Sequence, residues 1–503
     1  MKQNGFVYLV GAGPGDPGLI SVKAKECIEK ADCIIYDYLA NPVLLQHTRA
    51  ERIYVGKQGS QHTLSQEEIN KLIVQKAREG KVVVRLKGGD PFIFGRGGEE
   101  AEELVEAGIA YAIVPGISSF YSALAYAGIP ITHRDYAASF EVITGHRRAD
   151  GTEDITLPDY SPQKTYTFLM GMKNLDAICK RLIQEKNFPS DTPIAVVTWG
   201  TMPKQKVATG TLQTIAYEVE KAGLTPPAII CIGKVVTLRN TLRWYDTLPL
   251  FGKKVVVTRT REQASVLSKR LYELGADVVE FPTIAITKLQ ELSPLHDALK
   301  KLHDYDWVVF TSQNAVSIFF EEMFAVGLDA RALRCKVAAI GPATRDALRA
   351  YTIVADLVPS EYVAESLVDA FKGVEIAGKK ILVPCSAKAR NTLTQGLQEA
   401  GAIVNRVHIY DALQPDVNDT LKEEVKTADI ITFTSSSTVR NFMAMVGNIQ
   451  ATAACIGPIT AQECIKQGLS PHIVAKEYTI EGLVKAIVEY YKKYLIDNCF
   501  TLY

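Results

Sequence analysis

Short β-branched runs alternate with amphipathic stretches along nearly the whole chain, and that rhythm limits the fold more than any other feature. Val7 to Val10 precedes a helical pattern from about Ser21, Cys33 to Tyr36 precedes another from Ser65 to Arg78, and Val82 to Leu86 follows. Such a pattern predicts an α/β architecture of mostly parallel sheet covered by helices. At 503 residues the chain exceeds what one core can serve, and roughly three to five domains are expected. Two polar, Pro-bearing stretches break the rhythm. Arg147 to Lys164 reads as a long loop, and Arg239 to Lys254 as the main linker.

Beyond that linker the chain nearly repeats itself. GKKVVVTRT at Gly252 recurs as GKKILVPCS at Gly378, LGADV at Leu274 as AGAIV at Ala400, FTSQNAV at Phe310 as FTSSSTV at Phe433, and IGPATR at Ile340 as IGPITA at Ile456. Four matched blocks in one order predict two similar α/β lobes with a ligand in the cleft between them. Lys plus Arg equal Asp plus Glu at 56 each, so no global field favours nucleic acid or a membrane surface. Any anion must be met locally. The nine Cys lack CxxC or Cys/His ligand spacing, and no stretch before Phe6 resembles a cleavable signal, so no metal site is expected and a reducing, cytoplasmic location is. Apolar runs such as Ile34 to Tyr36 fall far short of the roughly 20 residues that span a bilayer.

The first half opens on VYLVGAGPGDPG, Val7 to Gly18, a strand entering a Gly-rich turn. A dinucleotide fingerprint would need a third Gly where Asp16 stands, bulky and repulsive to pyrophosphate, although Asp37 could then have served the ribose. The common methyltransferase loop would place an acidic residue on the first strand, and Tyr8-Leu9-Val10 has none. A purely structural tight turn is the third reading. Further on, RLKGGDPFIFGRGGEE sets Gly88-Gly89-Asp90 at a strand end. Paired glycines there admit a ligand to the backbone, and a carboxylate can hold hydroxyls or an amine.

Taken with YDYLA at Tyr36, VGKQGSQHTLSQEEIN at Val55, VPGISSFYSALAYAGIPITHR at Val114, TGH at Thr144 and PPAIICIGKVV at Pro226, these motifs resemble uroporphyrinogen-III C-methyltransferase across residues 5 to 245. The resemblance implies a tetrapyrrole-methylase-type fold of two α/β subdomains over residues 1 to 245, divided near 115. It also implies S-adenosylmethionine folded between the lobes and a homodimer formed through this half. The family's cofactor contacts fall on Pro14, Gly88, Gly89, Asp90, Ile93, Ser118, Ser119, Met170 and Gly200. Asp37 and Lys57 match its proton acceptor and donor; a capping role for Asp37 and a carboxylate-binding role for Lys57 are the alternatives. Arg85, Lys87, Arg96, His133, Arg134 and His146 are expected to meet the carboxylates of the ring substrate, with solvated surface as the alternative for each. Ser118-Ser119 replaces the family's usual Thr-Ala or Thr-Ser. No dehydrogenase or chelatase precedes Val7, so the methylated product is expected to leave unoxidised.

After a linker at 246 to 251, residues 252 to 490 carry VTRT, FTSQNAV, AIGPATRDAL, VPSEYVAESL, ILVPCSAKARNTL, VHIYDAL, FTSSSTVRNF and CIGPITAQECI, with a tail at 491 to 503. This set resembles uroporphyrinogen-III synthase. The resemblance implies a two-lobed α/β synthase-type fold that closes hydroxymethylbilane with inversion of the last pyrrole. An activated azafulvene needs folding and presentation more than a strong catalyst. Tyr410 matches the family's Tyr near the leaving hydroxyl, with a structural role as the alternative in a chain of 22 Tyr. Ser312, Thr344, Ser435 and Thr460 are expected at helix starts, holding substrate carboxylates or acting as N-caps. Arg259, Lys388 and Arg390 are expected as further carboxylate partners, with solvated charge as the alternative for each. Fused, the halves would make uroporphyrinogen III and methylate it twice to precorrin-2, on the sirohaem or cobalamin branch, and each half is expected to fold alone. The alternative for the second half is a non-catalytic tetrapyrrole-binding sensor.

Overall fold

The first apolar runs build one parallel sheet. Its strands are β1 (Phe6–Gly11), β2 (Cys33–Tyr36), β3 (Glu51–Tyr54), β4 (Val82–Lys87) and β5 (Tyr111–Val114), ordered β3-β2-β4-β1-β5 with every pairing parallel. The computed structural model describes residues 5–46, 48–56, 64–145, 155–259, 261–361, 364–389 and 391–499, with backbone alone for 261–265 and 493–499. Helices cover both faces of the sheet, which is why its strands read as unbroken apolar runs. Val7, Leu9, Ile35 and Val83 share a core with the helices Gln66–Arg78 and Gly97–Glu106, while Val10, Ile34, Val84 and Leu86 pack with the helix Val22–Lys30. A complete capping box of Ser65 and Glu68 opens Gln66–Arg78, satisfying two backbone donors that would otherwise lack partners.

The next sheet holds β6 (Ser139–Thr144), β7 (Lys164–Leu169), β8 (Pro193–Thr198), β9 (Lys206–Thr211) and β10 (Ala228–Ile232), ordered β6-β7-β10-β8-β9. Only β6 and β7 are parallel; the other pairs are antiparallel. The mostly parallel expectation fails here because the stretch joining β8 to β9 is too short for a crossover helix. The stretch read as a linker is packed, with a helix at Arg239–Leu242 and a fully buried Leu250. Arg239 donates to the Ala127 carbonyl and pairs with Asp246.

The chain divides into two compact units, Met1–Lys254 with Arg270–Asp277 and Tyr491–Tyr503, and Val255–Lys269 with Val278–Tyr490. The first unit therefore includes residues beyond its own motifs: Leu250 donates to Leu274, and Asp277 to Lys253, through their backbones.

Ten strands follow from β11 (Lys254–Val257): β12 (Asp277–Glu280), β13 (Ala285–Lys288), β14 (Trp307–Phe310), β15 (Lys336–Ala339), β16 (Lys380–Ser386), β17 (Ile403–Leu413), β18 (Ile430–Phe433), β19 (Thr452–Cys455) and β20 (Pro471–Val474). They form two sheets, β12-β11-β18-β19-β20 and β13-β17-β16-β14-β15. The repeated blocks place β11 opposite β16 in kind, β12 opposite β17, β14 opposite β18 and β15 opposite β19. Both sheets then have the same order, with β20 and β13 as the odd edge strands. Two similar lobes are present, yet neither lobe is one repeat. Each joins the front of one repeat to the back of the other, through the parallel pairs Val255 with Ile430 and Trp307 with Ile381.

Candidate active sites

In a parallel α/β sheet a ligand crevice opens where neighbouring strands send their connections to opposite sides. Here β1 leads toward β2 and β4 leads toward β5, so the crevice lies between β1 and β4. Gly13 and Gly89 face each other across it in an isolated bridge, Gly89 donating to Gly13 at 2.7 Å. A Cβ on Gly116 would lie 2.1 Å from the Gly89 carbonyl oxygen, and one on Gly11 would lie 2.5 Å from the Gly116 Cα. Three strand ends thus meet as bare backbone. Gly116→Ala should cost about 1–3 kcal/mol by overpacking this junction, read as a lower midpoint of thermal unfolding.

Asp90 shapes the turn beside it: Oδ1 accepts from the Phe92 N–H at 2.7 Å and Oδ2 from the Gly116 N–H at 2.9 Å. Ser118 is buried at the start of the helix Ser119–Tyr126, and Pro14 and Ser119 are half-buried. Ile93 is exposed between Phe92 and Phe94. From the mixed sheet come Met170, 50 % exposed just past β7, and the Trp199-Gly200-Thr201 turn past β8. Phe94, Arg96, Met170, Trp199 and Thr201 all hold left-handed backbone, a strain that gathers at ligand sites. Gly200 is needed for space, since a Cβ there would sit 2.3 Å from that of Ala123.

Asp16, the residue that spoils a dinucleotide fingerprint, has a local duty. Its carboxylate accepts from the Gly18 N–H and from the Tyr126 hydroxyl, and its own N–H donates to Thr201 Oγ1 at 3.1 Å. These bonds tie the β1 turn to the β8 turn.

Asp37 follows β2 with its side chain 25 % exposed, accepting from the Leu39 N–H and from Arg85 Nη2, each at 3.2 Å. Arg85 and Lys87 do not present their charge to solvent as expected. Both are buried, because they continue the face of β4 that Val83 begins. Arg85 Nε lies 3.0 Å and Lys87 Nζ 2.8 Å from Glu100 Oε1. Desolvation, then the neighbouring Arg85 charge, pushes the Lys87 ammonium below its ordinary range. Arg96 is exposed and bound to Glu99, His133 is half-exposed with Nδ1 accepting from the Asp135 N–H, and Arg134 is exposed. Lys57 and His146 lie outside the described residues.

In the second unit Ser312 and Tyr410, far apart in sequence, meet with their hydroxyls 2.9 Å apart. Ser312 also caps the helix Gln313–Ala325 by accepting from the Ala315 N–H. Burial pushes the Tyr410 hydroxyl up and the Ser312 bond pulls against it, so the phenol keeps its proton at neutral pH. Ser435 forms a capping box with Thr438 at the start of Ser436–Val446. Thr344 and Thr460 are buried in the first turns of Pro342–Ala350 and Pro458–Lys466. All four residues thus sit at helix starts, where N–H groups and the helix dipole favour anions. Burial lowers the proton affinity of the Arg259 guanidinium. Lys388 Nζ is 3.6 Å from Asp411, and Arg390 lies outside the described residues.

Sequence reasoning missed Gly11, Gly116, Trp199 and Glu100. Gly116 stood inside a quoted motif, and Glu100 ended another. The basic residues two apart on a buried strand were the signal that a carboxylate must lie beneath them.

A parallel sheet with a glycine-lined crevice, beside a mixed sheet, and a pair of lobes of matching strand order define two α/β enzyme folds in one chain. The sequence matches the family of tetrapyrrole (corrin/porphyrin) methylases over residues 7–216 and that of uroporphyrinogen-III synthase HemD over residues 265–485. The porphyrin biosynthesis protein HemD of Ruminiclostridium josui is 37% identical over 97% of this chain and 98% of its own. A uroporphyrinogen-III C-methyltransferase of Bacillus subtilis is 43% identical over 67% of this chain and 70% of its own. Among solved structures, a uroporphyrin-III C-methyltransferase from Thermus thermophilus complexed with S-adenyl homocysteine is 36% identical, covering 46% of this chain and 100% of that one, with a TM-score of 0.40. The chain belongs to the porphyrin biosynthesis family that joins a tetrapyrrole methylase to a HemD-type uroporphyrinogen-III synthase. Among the described residues no helix is long and apolar enough to cross a membrane.

Proposed function

We propose that the second unit closes hydroxymethylbilane to uroporphyrinogen III and that the first methylates this ring twice with S-adenosylmethionine to precorrin-2. The observation that carries the first-unit reading is the meeting of the β1, β4 and β5 turns as bare backbone beside the carboxylate of Asp37. Residues of this chain fit the cofactor: glycine backbone between β1 and β4, buried Ser118, and half-exposed Met170 as a polarizable surface. When bound, S-adenosylmethionine supplies an electrophilic methyl group. Methylation of a pyrrole carbon leaves the ring cationic until a proton departs, and Asp37, ion-paired with Arg85 and still partly open to solvent, is the acceptor.

For cyclisation the Ser312 and Tyr410 pair supports the reading. Ser312 Oγ already accepts from Ala315, so its own proton is free to point at Tyr410, and the phenol is then free to donate to the departing hydroxyl. The cytoplasm is the proposed location, in keeping with free thiols at the eight cysteines whose side chains are described. A homodimer is the proposed assembly.

Supplying hydroxymethylbilane with and without S-adenosylmethionine, then resolving products by mass and isomer, tests both activities. With cofactor the expected product is the dimethylated ring, with one S-adenosylhomocysteine for each methyl group. The inverted tetrapyrrole without methylation is expected when cofactor is withheld. Asp90→Ala should weaken cofactor binding by about 1–3 kcal/mol, because two backbone donors lose their acceptor and the turn loses its shape. Calorimetry reads this, and unchanged affinity would remove the Asp90 turn from the site.

A further inference from the structure

Glu100 is sealed inside the first unit, yet no step so far uses it. Its Oε1 receives Arg85 Nε at 3.0 Å, Lys87 Nζ at 2.8 Å and Gln66 Nε2 at 3.1 Å, while its Oε2 is buried without a partner among the described residues. Arg85 gives three of its other four donors to the carbonyls of Ile35 and Leu86 and to Asp37. Two cations therefore share one interior carboxylate, and the network reaches toward solvent through Asp37 and the half-exposed Gln66. A buried ion cluster is weak evidence for stability. Its aim at Asp37, the assigned proton acceptor, gives it a different purpose.

We propose that Glu100 is a positioning residue for methyl transfer, holding Arg85 so that Arg85 in turn fixes the orientation and negative charge of Asp37, with Lys87 anchoring Glu100. The proposal rests on the assignment of Asp37 as proton acceptor. The charged or titratable described groups around Asp37 are Arg85 and Lys87 on β4, Glu100 behind them, Tyr54 on β3, and Tyr36 and Tyr38 beside it in the chain. Removing Glu100's charge leaves Asp37 as the remaining counter-ion of Arg85, which favours its ionised form. Removing Arg85 or Lys87 does the reverse. Charge alone can move the limb in these directions, so the positioning role is read from kcat: Glu100→Asp keeps the charge, and only a role in placing Arg85 and Asp37 makes it lower kcat without moving the limb.

The test is the pH profile of kcat for methylation of supplied uroporphyrinogen III by the full chain, with cofactor affinity measured by calorimetry. Glu100→Gln should move the acidic limb to lower pH and cut kcat, on the order of 10²-fold, through misplacement of Asp37. Arg85→Met should move the limb to higher pH by about one unit or more. Cofactor affinity should stay near the wild-type value in both. Lys87→Met gives the upward shift if Arg85→Met does not fold, and Glu100→Asp, which keeps the charge, should lower kcat without moving the limb if Glu100→Gln does not fold. Limbs that stay in place or move the same way for the Glu100→Gln and cation variants would overturn the proposal while leaving methylation itself intact. No methylation by the wild-type chain would overturn the reading beneath it as well.

Discussion

Asp37→Asn is expected to slow methylation by about 10²–10⁴-fold, the usual worth of a positioned proton acceptor, while cofactor affinity remains close to that of the wild type. Asn keeps an oxygen for the Leu39 N–H, so the turn after β2 should hold its shape. What is lost is the charge that can take a proton and pair with Arg85. Steady-state kinetics with supplied uroporphyrinogen III, beside calorimetry of cofactor binding, separates the two quantities. Turnover within about twofold of the wild type would leave Asp37 a positioning group, far below the usual worth of a proton acceptor.

Tyr410→Phe should lower enzymatic cyclisation by about 10²-fold, at the lower end of what a lost proton donor costs, with the uninverted ring appearing at its spontaneous rate. The substitution removes one oxygen from a mostly apolar core and leaves Ser312 able to cap its helix, so a cooperative melt near that of the wild type is expected. Methylation of supplied uroporphyrinogen III should be unaffected. Ser312→Ala should have a smaller effect on cyclisation and a larger one on stability, because it deletes the N-cap. If Tyr410→Phe cyclises at the wild-type rate, Tyr410 is packing. If the wild-type chain folds but never gives the inverted isomer, the second unit is a binding module.

Much of the candidate site was legible because it is local. Gly88-Gly89-Asp90 sits at a strand end that was visible as the limit of a β-branched run, whereas Met170 was marked only by the family resemblance. The helix-start positions of Ser312 and Ser435 were equally plain, since a hydroxyl before an amphipathic stretch is an N-cap signal. Less legible was the fate of charge. Arg85 and Lys87 read as solvent-facing cations for a polyanionic substrate, yet strand alternation carries them inward beside Val83. Their partner Glu100 lies on a helix that only chain folding brings over that face.

The sequence by itself determined the class of architecture, the crevice turns and the existence of two like lobes, because each depends on periodicity or turn chemistry within a few residues. The tertiary structure alone decided which segments share a lobe. Repetition shows that β11 resembles β16 and that β14 resembles β18, but not that β11 pairs with β18 and β16 with β14. Those pairings join residues such as Val255 and Ile430, and a strand carries no mark of its distant neighbour. The same distance hid Ser312 beside Tyr410 and Arg85 between Asp37 and Glu100. Hydrogen bonds and ion pairs of that kind follow from where whole strands come to rest, which is set by burial of both sheet faces at once rather than by any local preference.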